Sequence, residues 1–335
     1  MRSRRILEVN GIYHVMSRVV NGEGLFGEGE REVMGRMLEA VAEFSGVEVL
    51  TWCVMSNHFH ILVRVPEQGE LSDEELLRRY TVLHGISLGW KREGDALKYA
   101  PESPEVVEAR LEAGGAMREE ERGRLLARMN DLSEFMKTFK QRVAIWANAQ
   151  QGRYGPLWAE RFKSVLVEGR GNVLLVMAAY IDLNAVRAGL VEDPVEYRHC
   201  GYAMAMGGRR WARAGLARVV GLGRRAGQSE EAYWGEVLGQ YRALLLSVGS
   251  AAREGKGEVD PGLVRAVVEG KSMVLSRHEL LACRLRYLVQ GALLGSRGWV
   301  EARLSGLQER YYRKTPAQGK DLPGLGMMAG KACRK

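Results

Sequence analysis

His58 and His60 flank Phe59 at the start of a stretch, 59 to 65, whose apolar and β-branched content reads as a strand. Residues two apart on a strand point to the same face with Cα atoms ~6.6 Å apart, so both imidazoles can converge on one metal while Phe59 turns to the core. An isolated His-x-His serves equally well as one exposed ring beside one that fills a polar gap, so its surroundings must decide. Tyr180 and Asn184 lie in a segment of helical periodicity, Asn172 to Leu190, where Val173, Val176, Met177, Tyr180, Asn184 and Arg187 share one face. That helix offers a phenol and an amide oxygen side by side to whatever it packs against. A lone helical tyrosine is more commonly a core residue with its hydroxyl bonded to a neighbour.

The elements that must position these residues follow from periodicity and turn chemistry. Residues 12 to 18 predict a strand ended by a Gly-rich turn at Asn21 to Gly29. Val33, Met34, Met37, Leu38, Val41 and Phe44 make the apolar stripe of a helix over 30 to 44, stopped by Gly46. Residues 47 to 55 and 59 to 65 then form a hairpin about Ser56-Asn57. From Pro66 to about Asn130 the chain reads as a charged helical insertion, opened by the capping box Ser72 to Glu75 and continued from Ser103-Pro104. A helix over 131 to 149 carries Lys137, Lys140 and Arg142 beside its apolar stripe; a fourth strand follows at 161 to 168, and Gly171-Asn172 opens the tyrosine helix, which runs to Gly189. The order β-α-β-β-α-β predicts an α+β fold, a ferredoxin-like split βαβ with an antiparallel sheet. Beyond it, residues 206–228 read as a Gly- and Arg-rich linker, 229–314 as an all-helical C-terminal region, and 315–335 as a disordered tail.

The chain has 335 residues, 46% of them apolar, and its 49 Lys and Arg against 41 Asp and Glu leave a net charge of +8. This is enough for a large core, with a bias toward polyanions such as nucleic acid. Cys53, Cys200, Cys283 and Cys333 form no Cys-x-x-Cys pair, which points away from a zinc ribbon or disulfide framework and toward a reducing cytosol. The basic start, Met1 to Arg5, lacks the apolar run of a signal peptide. The most apolar helix, Val173 to Ile181, is far shorter than the roughly 20 residues of a bilayer span, so a soluble, cytoplasmic chain without membrane contact is expected.

Four blocks in order carry a resemblance: Gly-Ile-Tyr-His-Val-Met-Ser-Arg (11 to 18), Trp-Cys-Val-Met-Ser-Asn-His-Phe-His-Ile-Leu-Val (52 to 63), Gly-Pro-Leu-Trp-Ala-Glu-Arg-Phe-Lys-Ser (155 to 164) and Tyr-Ile-Asp-Leu-Asn-Ala-Val-Arg-Ala-Gly-Leu-Val (180 to 191). In these the sequence resembles the single-tyrosine HUH transposases, closest to the REP-associated tyrosine transposases with an IS200-like domain over 1–205. Ala185 stands where the family often has proline, a departure that touches no catalytic group. The resemblance implies an HUH nuclease fold, His58 and His60 as the paired histidines, Tyr180 as the nucleophile and Asn184 as a third metal-side group. It implies Mg²⁺ or Mn²⁺, single-stranded or hairpin DNA as partner, and a tyrosine that takes the 5′-phosphate and leaves a 3′-hydroxyl.

The chemistry makes sense of that set. A metal with an open face neutralises a phosphodiester as a Lewis acid. A phosphotyrosine conserves the energy of the broken bond, so a second DNA end can reverse the step without a nucleotide cofactor. Imidazole ligands make Mn²⁺ the easier occupant. Arg161 and Lys163 beside Trp158 and Phe162 pair charge with a ring able to stack on an unpaired base, and serve equally as a solvated strand end. Arg18 has the same two readings. His14 reads as a core histidine, and His199-Cys200 as a chance pairing. Arg265, Arg277, Arg284, Arg286, Arg297 and Arg303 make the C-terminal region either an accessory DNA- or partner-binding module or an ordinary solvated face. Two other functional classes compete: a domesticated hairpin-binding regulator that does not cleave, and a split-βαβ RNA-binding module, which would show sheet aromatics where this sequence has histidines. Monomer and homodimer are both compatible with the sequence.

Overall fold

The computed structural model describes residues 6–85, 102–249, 292–311, 318–322 and 327–331. β1 (Ile12–Arg18), α1 (Glu28–Ser45), β2 (Glu48–Val54) and β3 (His58–Arg64) open the chain. α2 (Asp73–His84), α3 (Pro104–Glu112) and α4 (Gly115–Leu126) lie in the predicted insertion, followed by α5 (Leu132–Gln151), β4 (Lys163–Val167) and α6 (Gly171–Asp182). Ser72 Oγ accepts from Glu75 N at 3.2 Å, the predicted cap of α2. The first four strands lie in the order β2-β3-β1-β4, every neighbour antiparallel, which is the split βαβ arrangement.

Strand alternation gives this sheet two buried faces. Tyr13, Val15, Phe59, Ile61, Val63 and Leu166 share a core with α1 and α5. Ile12, Leu62, Cys53, Val165 and Val167 share the other with α6, whose residues Val173 to Asp182 are all buried. A helix apolar all round belongs in such a layer, between a sheet and further helices.

Four expectations are corrected. The tyrosine helix does not run unbroken to Gly189: it stops at Asp182, and α7 (Asn184–Arg187) restarts it. Leu183 leaves helical geometry at φ −85°, ψ 4°, because Asp182 is drawn into the interior and Asn184 turns back to cap the carbonyls of Tyr180 and Ile181. α8 (Gly201–Met206) closes the first region, and the stretch read as a linker holds α9 (Arg210–Val220), which packs on edge strand β2. Gly215 is what lets it approach: a Cβ there would sit 2.5 Å from the carbonyl oxygens of Val49 and Leu50. Gly215 marks a close packing of helix on strand.

The C-terminal part is likewise not all helical, nor its tail unstructured. After α10 (Glu230–Gly249), β5 (Leu293–Ser296) runs parallel to β4, α11 (Arg297–Tyr311) follows, and β6 (Gln318–Leu322) and β7 (Met327–Lys331) extend the sheet to seven strands, β2-β3-β1-β4-β5-β7-β6. β4 offers an unpaired edge, and Leu293 and Leu294, both 0% exposed, fill it. Arg265, Arg277, Arg284 and Arg286 lie outside the described residues. Arg303 pairs with Glu8 and lies over the Trp299 ring at 3.8 Å, and Arg297 pairs with Asp321, so both are engaged within the chain. No helix among the described residues is long and apolar enough to cross a membrane.

Candidate active site

The histidines open β3, at the end of the sheet face that α6 covers. In register, Arg18 lies opposite His58, Met16 opposite His60, and Lys163 opposite Met16, so these five residues share that face. The tight β2–β3 turn, closed by Met55 N donating to His58 O at 2.8 Å, fixes where β3 begins. Tyr180, 9% exposed, arrives from α6 and meets His60 edge-on at 5.6 Å between ring centroids and His14 at 6.0 Å. Arg187 of α7 places its guanidinium 5.0 Å from the Tyr180 ring centroid.

Hydrogen bonds set the state of the imidazoles. Asn57 Nδ2 donates to Gly22 O at 2.8 Å, which turns Asn57 Oδ1 toward His58 Nδ1 at 2.7 Å. An amide oxygen only accepts, so the proton sits on His58 Nδ1 and the lone pair on Nε2. His14 Nε2 lies 2.8 Å from His60 Nδ1, with the two rings stacked at 5.0 Å. With that proton on His60 Nδ1, the Nε2 of His60 is a lone pair too. Burial, reinforced by Arg18, pushes the His58 pKa down to about 4. Burial likewise holds His60 well below the usual range, with His14, His58, Arg18 and Arg187 adding repulsion. Both rings are therefore neutral near pH 7, the form that binds metals. Burial raises the Tyr180 phenol while Arg187 pulls it down, leaving it protonated at rest.

His58, and His60 in the tautomer that carries its proton on Nδ1, can each turn an Nε2 lone pair to a metal. No cluster of three or more His, Cys, Asp or Glu side chains suited to a metal occurs among the described residues. Asn184 sits one turn beyond Tyr180, across the helix break, and its Nδ2 donates to the carbonyls of Tyr180 at 3.0 Å and Ile181 at 3.2 Å. This fixes the amide and leaves Oδ1 as its acceptor atom.

The residues expected at DNA divide. Arg18 and Arg161 are exposed, and Lys163 is exposed while paired to Glu160 at 2.8 Å. Trp158 is taken up in packing: its indole N–H donates to Lys140 O at 2.9 Å, its ring meets Phe26 and Phe59, and Lys140 Nζ lies 5.3 Å from the ring centroid. His199 packs against Tyr197, and Cys200 Sγ accepts from Ala203 N to cap α8. Sequence reasoning missed three contributors. His14 is the buried residue its apolar strand predicts, and only the β1–β3 register sets it diagonally across from His60. Asn57 read simply as a turn residue. Asp182, 0% exposed, accepts from Thr51 Oγ1 at 2.8 Å, Tyr202 N at 3.1 Å and Tyr241 Oη at 2.6 Å, anchoring the Tyr180 helix to β2, α8 and α10.

The split βαβ sheet thus brings two histidines of β3 and a tyrosine of the covering helix α6 together at one end of one face. Residues 8–75, from just before β1 to the start of α2, match the family model described as "Transposase IS200 like". The match spans the β1-α1-β2-β3 core and no further. It is also similar to the structure of a REP-associated tyrosine transposase bound to a REP hairpin, at 12% identity and a TM-score of 0.38, covering 69% of this chain and 95% of that one. No curated protein matches the chain.

Proposed function

We propose that the chain is a metal-dependent single-stranded DNA endonuclease and strand transferase of the transposition type, acting beside a DNA hairpin, with Tyr180 as its nucleophile. The observation that carries this reading is the Tyr180 ring packed against His60 on a face that also presents Arg18 and Lys163. His58 and His60 would hold Mg²⁺ or Mn²⁺ through Nε2, with Asn184 Oδ1 as a third protein group. When bound, the ion supplies Lewis-acid neutralisation of the phosphodiester. The two neutral imidazoles suit Mn²⁺ better than Mg²⁺, which prefers oxygen.

The side chains supply the rest. Arg18 and Lys163 draw the backbone phosphate to the mouth of the site. Arg187, on the Tyr180 ring, stabilises negative charge as the phenol gives up its proton. Tyr180 Oη forms the new bond to phosphorus, the bridging O–P bond breaks, and the departing oxygen takes a proton as a hydroxyl. A hydroxyl of a second DNA end reverses the step and frees Tyr180. By the motif resemblance the phosphate carried is the 5′-phosphate and the hydroxyl released is the 3′.

Purified chain incubated with Mn²⁺ and single-stranded hairpin DNA is expected to give a covalent adduct on a denaturing gel, absent for Tyr180→Phe and absent in chelator. An adduct unchanged in Tyr180→Phe would sink the nucleophile, and one that survives chelation would sink the metal.

A further inference from the structure

On the side of the sheet away from α6, three fully buried side-chain nitrogens have no hydrogen-bond partner: Nδ1 and Nε2 of His84 and Nε of Arg142. His84 ends α2, and Arg142 lies on α5 close enough to act on it electrostatically, as do Arg128 and Arg124. The Tyr80 ring packs against His84 at 4.3 Å between centroids, and Arg128 lies over Phe44 at 4.7 Å. The Tyr80 and Phe44 rings thus lie directly against this basic cluster.

The neighbouring arginines show what is unusual here. Arg78, Arg79, Arg110, Arg118, Arg122 and Arg124 each pair with a carboxylate. Arg128 and Arg142 pair with none among the described residues, although burial lowers the pKa of both. Half-buried guanidiniums set side by side, with no carboxylate in ion-pair contact and with orphaned N–H groups on Arg142 and His84, cost stability in the free protein. An anion with several acceptor oxygens would satisfy all of them. Guanidinium forks match phosphate geometry, and the neutral His84 ring has an N–H to give.

We propose that His84, Arg128 and Arg142 form a phosphate-binding site, separate from the His58, His60 and Tyr180 cluster, that takes a backbone phosphate of a nucleic acid. The net charge of +8 favours such a polyanion over a small neutral ligand. The site would hold the strand on the far side of the sheet from the proposed chemistry, as an anchor that does not depend on Tyr180.

The test follows the histidine ring resonances of the full chain by NMR, titrated with inorganic phosphate and, separately, with a mixed-sequence single-stranded oligonucleotide. The His84 signals are expected to shift and saturate with the oligonucleotide. Arg128→Met and Arg142→Met should each weaken oligonucleotide binding about tenfold and lower the slope of log affinity against log salt by about 1. Arg142→Met removes no ion-paired partner, so its thermal midpoint without DNA should not fall, and that of Arg128→Met, which gives up the contact with the Phe44 ring, should fall only slightly. Adduct formation through Tyr180 should persist in both variants at saturating DNA, which separates this site from the reaction centre. A His84 shift with inorganic phosphate but not with the oligonucleotide would overturn the backbone assignment in favour of a free phosphate. No shift with either probe, or unchanged affinity in both variants, would overturn the site.

Discussion

Two hydrogen bonds decide what His58 and His60 can do. The Asn57 amide, locked by Gly22, forces the proton of His58 onto Nδ1, and the contact with His14 offers His60 the same arrangement. Such outer partners orient a metal-binding ring and fix its tautomer, and their loss typically costs about 10- to 100-fold in metal affinity. His14→Gln is therefore expected to weaken Mn²⁺ binding by about that factor, measured by calorimetric titration, while the fold and Tyr180 are left in place. An affinity equal to the parent's would mean that His14 only fills space. The residue types and spacing of His58, His60 and Tyr180 were legible in the sequence. The role of His14 was not, because a histidine inside an apolar strand looks the same whether it meets a methyl group or another imidazole, and only register tells which.

Among the elements, α6 and α9 set the geometry. Periodicity identified the tyrosine helix, yet its break after Asp182 depends on a carboxylate pulled inward by Thr51, Tyr202 and Tyr241, residues distant in sequence. α9 was hidden by its glycines and arginines, which resemble a linker until β2 is seen beneath them. Gly215→Ala should put a methyl group against the Val49 and Leu50 carbonyls, and an overpacked contact of this kind costs about 1–3 kcal/mol. Urea unfolding would register it as a lower midpoint at unchanged slope. A midpoint equal to the parent's would show that α9 can slide off the strand without penalty.

Across the whole molecule, Asp182 ties β2, α6, α8 and α10 into one unit, and its burial raises its pKa to about 6 despite hydrogen bonds from Tyr241, Thr51 and Tyr202. A folded pKa above the unfolded 3.8 means that the native state holds the extra proton between these values. Stability from this group therefore falls as pH rises from about 4 to about 6 and is flat above. Asp182→Asn should remove that decline, of order 2–3 kcal/mol, in denaturation curves taken across the window. Parallel curves for the two proteins would show that the carboxylate is ionised throughout. The sequence by itself determined the β-α-β-β-α-β order, the histidine pair and the tyrosine helix, since each rests on local periodicity and turn chemistry. The seven-stranded sheet, the strands in the Gly- and Lys-rich tail, and the contact of Tyr180 with His60 and His14 were decided by tertiary structure alone. Strand pairing and side-chain burial are non-local: β5 becomes a strand because β4 leaves an edge to pair with, and Tyr180 faces the imidazoles because α6 is pinned across them.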